Sequence, residues 1–530
     1  MTTTDAQPDA MTAPMTAQAL MAEPFGTLPD VIAAHAREQP QHLALIEGDR
    51  QITYAELDAL TDRIAAALQR EGVGAADVVA ICLSASSIEY VAAFLGALRA
   101  GAAAAPLPAT ATAASISMML KDSEAKVLVL DAAAGDALAP VAAEIAAVRV
   151  AADGSAAGRA WDAWLAPAGT RPAPVRITPD MPFNIIYSSG TTGAPKGIVQ
   201  SQQMRWINLH RAPYPAGSVA MVSTPLYSNT SLIGLLPPLA NGASIVLMRR
   251  FQAGEFLALS QARGVTHTIL VPVQCRRILD HPDFETFDLS AYQMKTITSA
   301  PMSAASKAEM LDRWPGGLIE YYGMTEGGCT CALEAHLHRD KLHTVGKPLS
   351  GEIRLIDDEG REVPPGGSGE IVGRSPSMMT GYHGQPDKTR EAEWFSPEGL
   401  RFIRTGDMGR IDEDGFLVLM DRKKDMIISG GFNIYPSDLE AEAMLHPAVA
   451  EAAVVGAPSE RWGETPVAFV ALAPGAQVQA EELKDWINAR LAKTQRLAEL
   501  KVLPELPRSA IGKVLKRELR ETWLGEGAIS

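Results

Sequence analysis

The chain alternates short apolar runs with segments of helical periodicity. Residues 52–73 begin with Thr53 and Glu56 at the spacing of a capping box and continue with four apolar residues on one helical face. These apolar residues are Leu57, Leu60, Ile64 and Leu68. The short apolar runs that alternate with such helices stand at residues 78–84, 126–131, 183–188, 244–248 and 266–272. Alternation of this kind predicts layers of helices packed on sheets, an α/β fold.

A second pattern begins near residue 422, where the apolar-free run RKKD separates two hydrophobic stretches. Beyond it, Ser437 and Glu440 predict the start of another capped helix, followed by two apolar strands and a helix near 480–495. About 110 residues are enough for a small α+β domain. The Ala-rich stretch around 100–115 predicts a loop and a helix of small residues. We therefore expect a flexible tail, a large multi-layer body, a hinge and a small lid, at residues 1–24, 25–421, 422–425 and 426–530.

Composition narrows the possible partners and the compartment. The 530 residues hold 47 Lys or Arg against 62 Asp or Glu, a net charge of −15, which argues against a dedicated binder of nucleic acids or anionic membranes, since such a protein would need a basic face. Residues 212–248 hold no charge, but prolines interrupt them and leave no apolar run of about 20 residues for a membrane span. Four cysteines are too few for a disulfide scaffold, and the first basic residue, Arg37, stands too late for a secretory or transit leader. We expect a cytoplasmic protein.

The sharpest local feature is the run from Tyr187 to Val199, YSSGTTGAPKGIV, which continues an apolar run. Its glycines allow backbone N–H groups to approach phosphate oxygens, its hydroxyl groups donate further hydrogen bonds, and Lys196 supplies a positive charge. The order of residues is not that of a Walker A loop. The run therefore indicates a phosphate-binding loop, with a plain surface loop as the alternative.

Together with four later segments, this run resembles the adenylate-forming superfamily, which comprises acyl-CoA synthetases, peptide-synthetase adenylation domains and luciferases. The four segments follow the order of the superfamily and read EYYGMTEGG (320–328), RTGDMGRIDEDGF (404–416), DRKKDMIISGGFNIYPSDLE (421–440) and PRSAIGKVLKRELR (507–520). The resemblance runs from residue 187 to residue 520, and the N-terminal layers are compatible with it. It implies a large α/β body with a mobile C-terminal lid that uses ATP, Mg²⁺ and a small carboxylic acid.

The resemblance also implies a nucleotide site. The β- and γ-phosphates would be held by Ser188, Ser189, Gly190, Thr191, Thr192 and Lys196. Tyr322 would stack on adenine, and Ala300 and Pro301 would border the same pocket. The remaining contacts would be those of Thr325 with the α-phosphate, Glu326 with Mg²⁺, Asp407 with the ribose hydroxyls and Arg422 with ribose and phosphates.

A two-step reaction follows from the resemblance. A carboxylate attacks the α-phosphate of ATP to give acyl-AMP and pyrophosphate, and a thiol, expected to be that of CoA, then displaces AMP. Lys513 would reach from the lid to the carboxylate and the α-phosphate in the first step. The lid would then rotate about the hinge residue Lys424. The tunnel for the CoA arm would be lined by Ser429, Gly430, Gly431 and Phe432.

The acyl group would lie against Tyr227, Ser228, Asn229 and Gly323. Tyr227 and Ser228 stand where many relatives place Phe and His, and Ile428 stands where some aryl-CoA ligases place Lys. The segment around Tyr227 carries no charge that could pair with a substrate ammonium group, whose burial would be costly. We therefore expect an acid with an uncharged tail, aryl or arylpropenoyl rather than medium-chain.

Several alternatives stay open. A freestanding enzyme that loads a carrier protein and a luciferase-like oxygenase would both use the same adenylate, whereas a nucleotide-binding scaffold would form none. A further run, C-x-C-x₄-H-x-H, suggests a zinc site at Cys329, Cys331, His336 and His338. Its spacing is not that of a usual structural zinc framework, so we expect core and loop residues there instead.

Overall fold

The structure, a computed structural model, describes residues 14–188, 195–210, 214–429, 432–459, 461–508 and 513–527. The described residues divide into two units on either side of the bond between Arg250 and Phe251. Each unit combines helices with sheets, as the alternation of apolar runs predicts.

The first unit contains two sets of paired strands and the helices that cover them. Its described strands are β1 (Leu43–Glu47), β2 (Arg50–Thr53), β3 (Val78–Cys82), β4 (Ala103–Pro106), β5 (Val127–Leu130), β6 (Val148–Ala151), β7 (Arg159–Ala160), β8 (Pro182–Ser188), β9 (Lys196–Ser201), β10 (Val219–Val222) and β11 (Ser244–Leu247). Its described helices are α1 (Ala17–Met21), α2 (Leu28–Glu38), α3 (Tyr54–Arg70), α4 (Ile88–Arg99), α5 (Ala113–Ser123), α6 (Ala132–Leu138), α7 (Trp161–Trp164), α8 (Gln202–Leu209) and α9 (Asn229–Ala240), with a 3₁₀ turn at Ala139–Glu144.

The strand order explains the long apolar runs of this unit. One set runs β9-β8-β4-β3-β5-β6-β7, with every pair parallel except β8 and β9. The other set runs β10-β11-β1-β2, in which β2 is antiparallel to β1. Strands buried on both faces need apolar side chains at consecutive positions rather than at alternate ones. The capping box of α3 is also present, because the Thr53 and Glu56 side chains each accept a backbone N–H group of the other residue.

The Ala-rich stretch corrects one expectation. Residues Ala103–Pro106 form β4, a fully buried strand between β3 and β8, where we expect a loop and a helix. Alanine is a weak strand former by itself, so the local sequence gives no strand signal. Burial of the whole strand between β3 and β8 overrides that propensity.

The second unit contains the remaining strands and helices. Its described strands are β12 (His267–Leu270), β13 (Met294–Ile297), β14 (Gly317–Met324), β15 (Gly327–Glu334), β16 (Lys347–Ser350), β17 (Glu352–Ile356), β18 (Ser368–Arg374), β19 (Gly381–Tyr382), β20 (Glu393–Phe395), β21 (Arg401–Ile411), β22 (Leu417–Arg422), β23 (Ile427–Ser429), β24 (Phe432–Ile434), β25 (Val449–Ser459), β26 (Gly463–Leu472) and β27 (Glu499–Leu503). Its described helices are α10 (Ala253–Arg263), α11 (Pro272–Leu279), α12 (Ala304–Arg313), α13 (Pro386–Glu391), α14 (Pro436–Ala443), α15 (Ala480–Asn488) and α16 (Lys516–Gly527), with 3₁₀ turns at Phe284–Thr286, Arg339–Lys341 and Lys493–Gln495.

Three sets of strands organise this unit. Strands β12, β13 and β14 are parallel, and β15 and β16 continue the set antiparallel to them. The second set runs β17-β18-β21-β20, with β22 paired to β21. The third runs β24-β23-β26-β25, with β27 parallel to β26, and packs its own apolar core around Leu439, Val454 and Leu483. A separate core is what a small C-terminal domain needs, but the domain boundaries themselves stay a prediction.

The start of α14 differs from the expectation. The helix begins at Pro436, with Tyr435 at the N-cap position and no side-chain cap, so Ser437 and Glu440 do not form a capping box. Proline is favoured at the first helical position because its missing N–H group has no helical partner there, and this sets the boundary. The Glu440 carboxylate instead accepts the Val454 N–H group at 2.7 Å and pairs with Lys516 at 2.8 Å.

None of the described helices has the length and apolar character that crossing a membrane requires.

A buried lysine closes the carboxyl end of α12. Lys295, on β13, is fully buried, and its Nζ donates to the carbonyl oxygens of Trp314 at 2.7 Å, Pro315 at 2.6 Å and Gly316 at 2.8 Å. These carbonyl groups follow the last turn of the helix, where intrahelical donors are lacking. The Lys295 Nζ therefore supplies a hydrogen-bond donor to three consecutive carbonyl groups.

We predict that Lys295→Met destabilises the protein by roughly 2–4 kcal/mol. The buried Trp314 carbonyl left without a donor costs about 1–3 kcal/mol, and the less deeply buried Pro315 and Gly316 carbonyls add a smaller cost because water can reach them. Thermal unfolding followed by circular dichroism measures the effect. Lys121→Met is the control, since the Lys121 side chain is 58% exposed. Equal melting temperatures for the two variants would contradict a structural role for the Lys295 ammonium group.

Candidate active site

The candidate phosphate loop connects two paired strands of the first unit. Ser188 at the end of β8 lies opposite Lys196 at the start of β9, so both stand at the base of the connecting loop. The predicted residues Ser189, Gly190, Thr191 and Thr192 lie outside the described residues. Tyr187, beside Ser188, donates its hydroxyl to Asp122 Oδ2 on α5 at 2.7 Å. The base of the loop is thereby fixed to a helix, a contact that the sequence motif does not reveal.

The hairpin of β14 and β15 presents Thr325 and Glu326 at its tip, because Met324 pairs directly with Gly327. Gly327 has a φ of +88°, and a Cβ there would lie 1.9 Å from the Ser377 carbonyl oxygen, so only glycine fits. The turn is therefore pressed against the segment around Ser377, and the two tip side chains are held in a narrow range of positions.

Tyr382 is a site residue that the sequence analysis misses. Its hydroxyl donates to Glu326 Oε1 at 2.9 Å, and burial raises its pKa, with the Glu326 carboxylate acting in the same direction. The hydroxyl therefore stays protonated and remains a donor. Tyr382 stands 56 residues from Glu326 on a two-residue strand, and no local pattern links the two.

Tyr322, Asp407 and Arg422 form one contact group. The Tyr322 hydroxyl donates to Asp407 Oδ2 at 2.9 Å, and Arg422 Nε lies 3.4 Å from Asp407 Oδ1. Asp407 on β21 is paired with Arg422 on β22. The Asp407 N–H group donates to the Thr405 hydroxyl at 3.0 Å, which fixes the backbone that carries the carboxylate. The structure thus brings together three residues that the sequence assigns to the nucleotide.

The segment with Ala300 and Pro301 follows β13. The Thr298 hydroxyl donates to the Tyr321 carbonyl at 2.9 Å, one residue before Tyr322. Ser299 has a φ of +79°, a backbone conformation that residues other than glycine rarely adopt. The contact and the strained residue place this segment beside the strand that carries Tyr322.

Lys513 lies in the same electrostatic environment as this group. Burial lowers its pKa, and so do the charges of Arg422 and Lys424, whereas Asp407 and Glu326 act to raise it. The backbone next to it is anchored, since Val514 pairs with Arg508 and the Leu515 N–H group donates to the Pro507 carbonyl at 2.8 Å. Glu326 and Lys513, 187 positions apart along the chain, are therefore near enough to influence each other electrostatically.

The predicted hinge is a tight turn. Arg422 ends β22, and its carbonyl accepts the N–H groups of Asp425 at 2.9 Å and Met426 at 3.1 Å. Lys424 is exposed in this turn. Beyond it, Ser429 pairs with Phe432 across β23 and β24, whereas the predicted tunnel residues Gly430 and Gly431 lie outside the described residues. Ile428 is 53% exposed.

The predicted acyl residues fall on both units. Burial raises the pKa of Tyr227, and a hydrogen bond with Thr110 opposes that shift. Ser228 is the N-cap of α9 and accepts the Ser231 N–H group at 3.2 Å, while the Asn229 side-chain oxygen accepts from buried Arg205 at 2.7 Å. Gly323 lies on β14 of the second unit and is exposed.

Cys329 and Cys331 belong to an apolar core cluster. Both are buried on β15 against Ile371 and Leu417. Within the part of the chain that the structure describes, no group of three His, Cys, Asp or Glu side chains is arranged to hold a metal ion.

The sequence as a whole matches a known family. Residues 32–383 match the model of the AMP-binding enzyme, and residues 438–513 match that of the AMP-binding enzyme C-terminal domain. The chain belongs to the AMP-binding enzyme family. It is therefore an adenylate-forming carboxylate ligase with the α/β fold of that family.

Individual relatives support the same assignment over almost the full length. The chain is 34% identical to "Fatty acid--[acyl-carrier-protein] ligase ScoC" of Streptomyces coeruleorubidus, covering 95% of this chain and 97% of that protein. It is 33% identical to "Feruloyl-CoA synthase" of an Amycolatopsis species, covering 92% and 96%. The crystal structure of ATP-bound MatB from Rhodopseudomonas palustris is similar at a TM-score of 0.84 and 30% identity, covering 94% of this chain and 99% of that one.

We predict opposite pKa shifts for Lys513 when its charged neighbours are removed one at a time. Arg422→Gln removes a positive charge and should raise the pKa, whereas Asp407→Asn removes a negative charge and should lower it. Only the neutral amine reacts with acylating reagents, so the pH profile of Lys513 labelling, measured by peptide mass spectrometry, should move up in the first variant and down in the second. Arg361→Gln, at a side chain 72% exposed, is the control. Three coincident profiles would rule out this placement of Lys513.

Proposed function

We propose that this protein is an ATP-dependent carboxylate–CoA ligase. It forms acyl-AMP and pyrophosphate from a carboxylic acid and ATP, and then transfers the acyl group to the thiol of CoA. The observation that carries the proposal is the location of Lys513, which shares its environment with Asp407, Arg422 and Glu326. A cation at this position meets the reacting carboxylate and α-phosphate only if the nucleotide lies against the same residues.

The contacts of Tyr322 and Asp407 support a nucleoside site. A carboxylate can accept two hydroxyl groups at once, which suits the ribose, and the Tyr322 ring offers an aromatic face to the adenine. The Tyr322 hydroxyl and Arg422 already approach the two oxygens of Asp407 and orient the carboxylate. In this proposal Ala300 and Pro301 form the opposite side of the adenine pocket, and Ser188, Lys196 and their loop hold the outer phosphates.

The residues at the hairpin tip suit Mg²⁺. Glu326 supplies a carboxylate and Thr325 a hydroxyl, and hard oxygen donors of this kind are what Mg²⁺ prefers. Tyr382 donates to Glu326 Oε1 and orients the carboxylate, which would hold the Mg²⁺. When bound, Mg²⁺ offsets negative charge on the phosphates.

Lys513 acts in the first step. The attack of a carboxylate on a phosphate brings two anionic groups together, and the ammonium group lowers the repulsion between them as negative charge grows on the α-phosphate oxygens. Thr325 donates to the same phosphate. The lysine must carry its proton for this role, and Asp407 and Glu326 favour that charged form.

The second step requires a thiol at the position that Lys513 occupies in the first. The lid turns about Lys424 and removes the lysine, and the segment from Ser429 to Phe432 then lines the tunnel for the CoA arm. Because Arg422 both contacts Asp407 and accepts the hydrogen bonds of the hinge turn, the pivot lies directly beside the nucleotide.

The acid carries an uncharged tail, with an aryl or arylpropenoyl group preferred over a medium chain. The acyl residues Tyr227, Ser228 and Asn229 are neutral, and the similarity to a protein named feruloyl-CoA synthase supports an arylpropenoyl acid. The similarity to a protein named as a fatty acid–acyl-carrier-protein ligase supports a second candidate, a freestanding enzyme that loads a carrier protein.

A screen of carboxylic acids by pyrophosphate release tests the function and its alternatives. We expect release with aryl or arylpropenoyl acids and a thioester only when CoA is added. If a thioester formed only with a carrier protein, the acceptor would be that protein and not CoA. Product formed with oxygen alone would indicate a luciferase-like oxygenase. The absence of acid-dependent pyrophosphate release with every acid would contradict the proposed function.

We predict that Lys513→Ala lowers the rate of acyl-AMP formation by at least about a hundredfold, a typical loss when a charge-stabilising group is removed. Thioester formation from supplied acyl-AMP should stay within about twofold, because the lysine is absent from that step. Lys516→Ala is the matched control, since Lys516 is a neighbouring lysine that pairs with Glu440. Equal loss of both half-reactions in Lys513→Ala would refute this role.

A further inference from the structure

A buried arginine connects the strands of the candidate phosphate loop with the segment that carries the predicted acyl residues. Arg205, on α8, is 2% exposed. Its Nε donates to Asn184 Oδ1 at 2.8 Å, and its Nη2 donates to Asn229 Oδ1 at 2.7 Å. Asn184 lies on β8 and Asn229 is the first residue of α9, so the guanidinium group joins a strand of the loop hairpin to the start of that helix.

The strand side of this contact is fixed by a further hydrogen bond. Asn184 Nδ2 donates to Gln200 Oε1 at 2.9 Å, and the two residues lie opposite each other on β8 and β9. Both side chains are buried. Because removing a guanidinium group from water is costly unless its N–H groups meet oxygens, these bonds restrict where the Arg205 side chain can lie. The location of Nη2 is therefore set by the side chains of the sheet.

The charge of Arg205 decides which way the Asn229 amide faces. A guanidinium group has hydrogen-bond donors and no acceptor, so Asn229 must turn its oxygen towards Nη2 and its nitrogen away from it. Within the described parts of the chain, no group accepts a hydrogen bond from that nitrogen, and Asn229 is half-buried. The Asn229 side chain thus presents N–H donors on the side away from Arg205.

Ser228, the residue before it, has no such donor to offer. Its Oγ accepts the Ser231 N–H group at 3.2 Å as the N-cap of α9. The Ser231 hydroxyl donates to the Pro225 carbonyl at 2.6 Å, so Ser231 Oγ is the acceptor in its 3.0 Å contact with the Ser228 hydroxyl. The hydroxyl proton of Ser228 is therefore used within its own turn, whereas the amide protons of Asn229 are not.

We propose that Asn229 recognises an oxygen atom on the tail of the acid, and that Arg205 is the positioning residue that orients the amide towards it. The inference rests on the proposed function, which places Asn229 against the acyl group. An amide N–H group covered by a purely apolar tail loses its hydrogen bonds to water and gains none, which penalises such an acid. The favoured substrates are aryl or arylpropenoyl acids whose ring carries an oxygen that accepts a hydrogen bond, such as that of a methoxy group.

Matched acids test this selection in the unaltered protein. Cinnamic acids with a methoxy group at the meta or para position of the ring are compared with those that carry an ethyl group there. The two substituents have similar size, and only the methoxy group holds an acceptor. We expect kcat/KM for pyrophosphate release to be about tenfold higher for methoxy than for ethyl at one of the two positions, as for a hydrogen bond whose loss leaves a donor unpaired.

Asn229→Asp tests the direction of the amide. The variant keeps the size of the side chain and an oxygen for Arg205, but it replaces the amide nitrogen by an oxygen that repels the methoxy oxygen. The preference should therefore reverse in favour of the ethyl acid, with the KM of ATP unchanged. A loss of stability alone would lower kcat/KM for both acids and leave their ratio unchanged.

Arg205→Met tests the positioning role. Without the guanidinium group the amide can turn either way, so the methoxy-to-ethyl ratio should fall from about tenfold to less than about threefold. Arg99→Met is the control for the loss of a largely buried arginine, because Arg99 is an 11% exposed residue of the first unit that pairs with Asp58 and Asp62. It should lower the melting temperature and keep the ratio of the unaltered protein. Asn229→Asp decides alone if Arg205→Met does not fold.

Equal kcat/KM for the methoxy and ethyl acids at both positions in the unaltered protein would overturn the inference, as would pyrophosphate release only with acids that have no oxygen in the tail. An unchanged ratio in Asn229→Asp would contradict the role of Asn229, and an unchanged ratio in Arg205→Met would contradict that of Arg205. The proposed function fails in a different way, when the unaltered protein releases no pyrophosphate with any acid.

Discussion

Burying a cation is costly unless negative charge lies near it, and the candidate site depends on this constraint at Lys513. Burial and the neighbouring charges of Arg422 and Lys424 all disfavour its ammonium form, and the carboxylates of Asp407 and Glu326 favour it. The two carboxylates belong to different hairpins, and each is oriented by a tyrosine, Tyr322 in one case and Tyr382 in the other.

Much of the architecture can be predicted from the chain because its strands are buried on both faces. Continuous apolar runs then mark strands such as β3, β5 and β8, and the capping box marks the start of α3. Prediction from the sequence is wrong where tertiary burial overrides local propensity, as in the alanine strand β4. It also fails at α14, where Ser437 and Glu440 have the spacing of a cap but serve other contacts.

In the candidate site, too, some residues can be predicted from the sequence and others cannot. The residues predicted to bind the nucleotide stand in short motifs, and the order of these motifs along the chain is enough to suggest their roles. Residues that hold those side chains in place do not stand in motifs, because their contacts join distant segments. The contacts of Asp122 with Tyr187 and of Tyr382 with Glu326 are of this kind.

The positive charges near Lys513 are relevant to the transition between the two steps of the proposed reaction. Arg422 and Lys424 both repel the ammonium group of Lys513, and in the proposed reaction the triphosphate of ATP would supply compensating negative charge. When pyrophosphate leaves, most of that charge leaves with it, while the repulsion between the lysine and the hinge residues remains. In the proposed mechanism, loss of the product would therefore weaken the position of the lid in the first step.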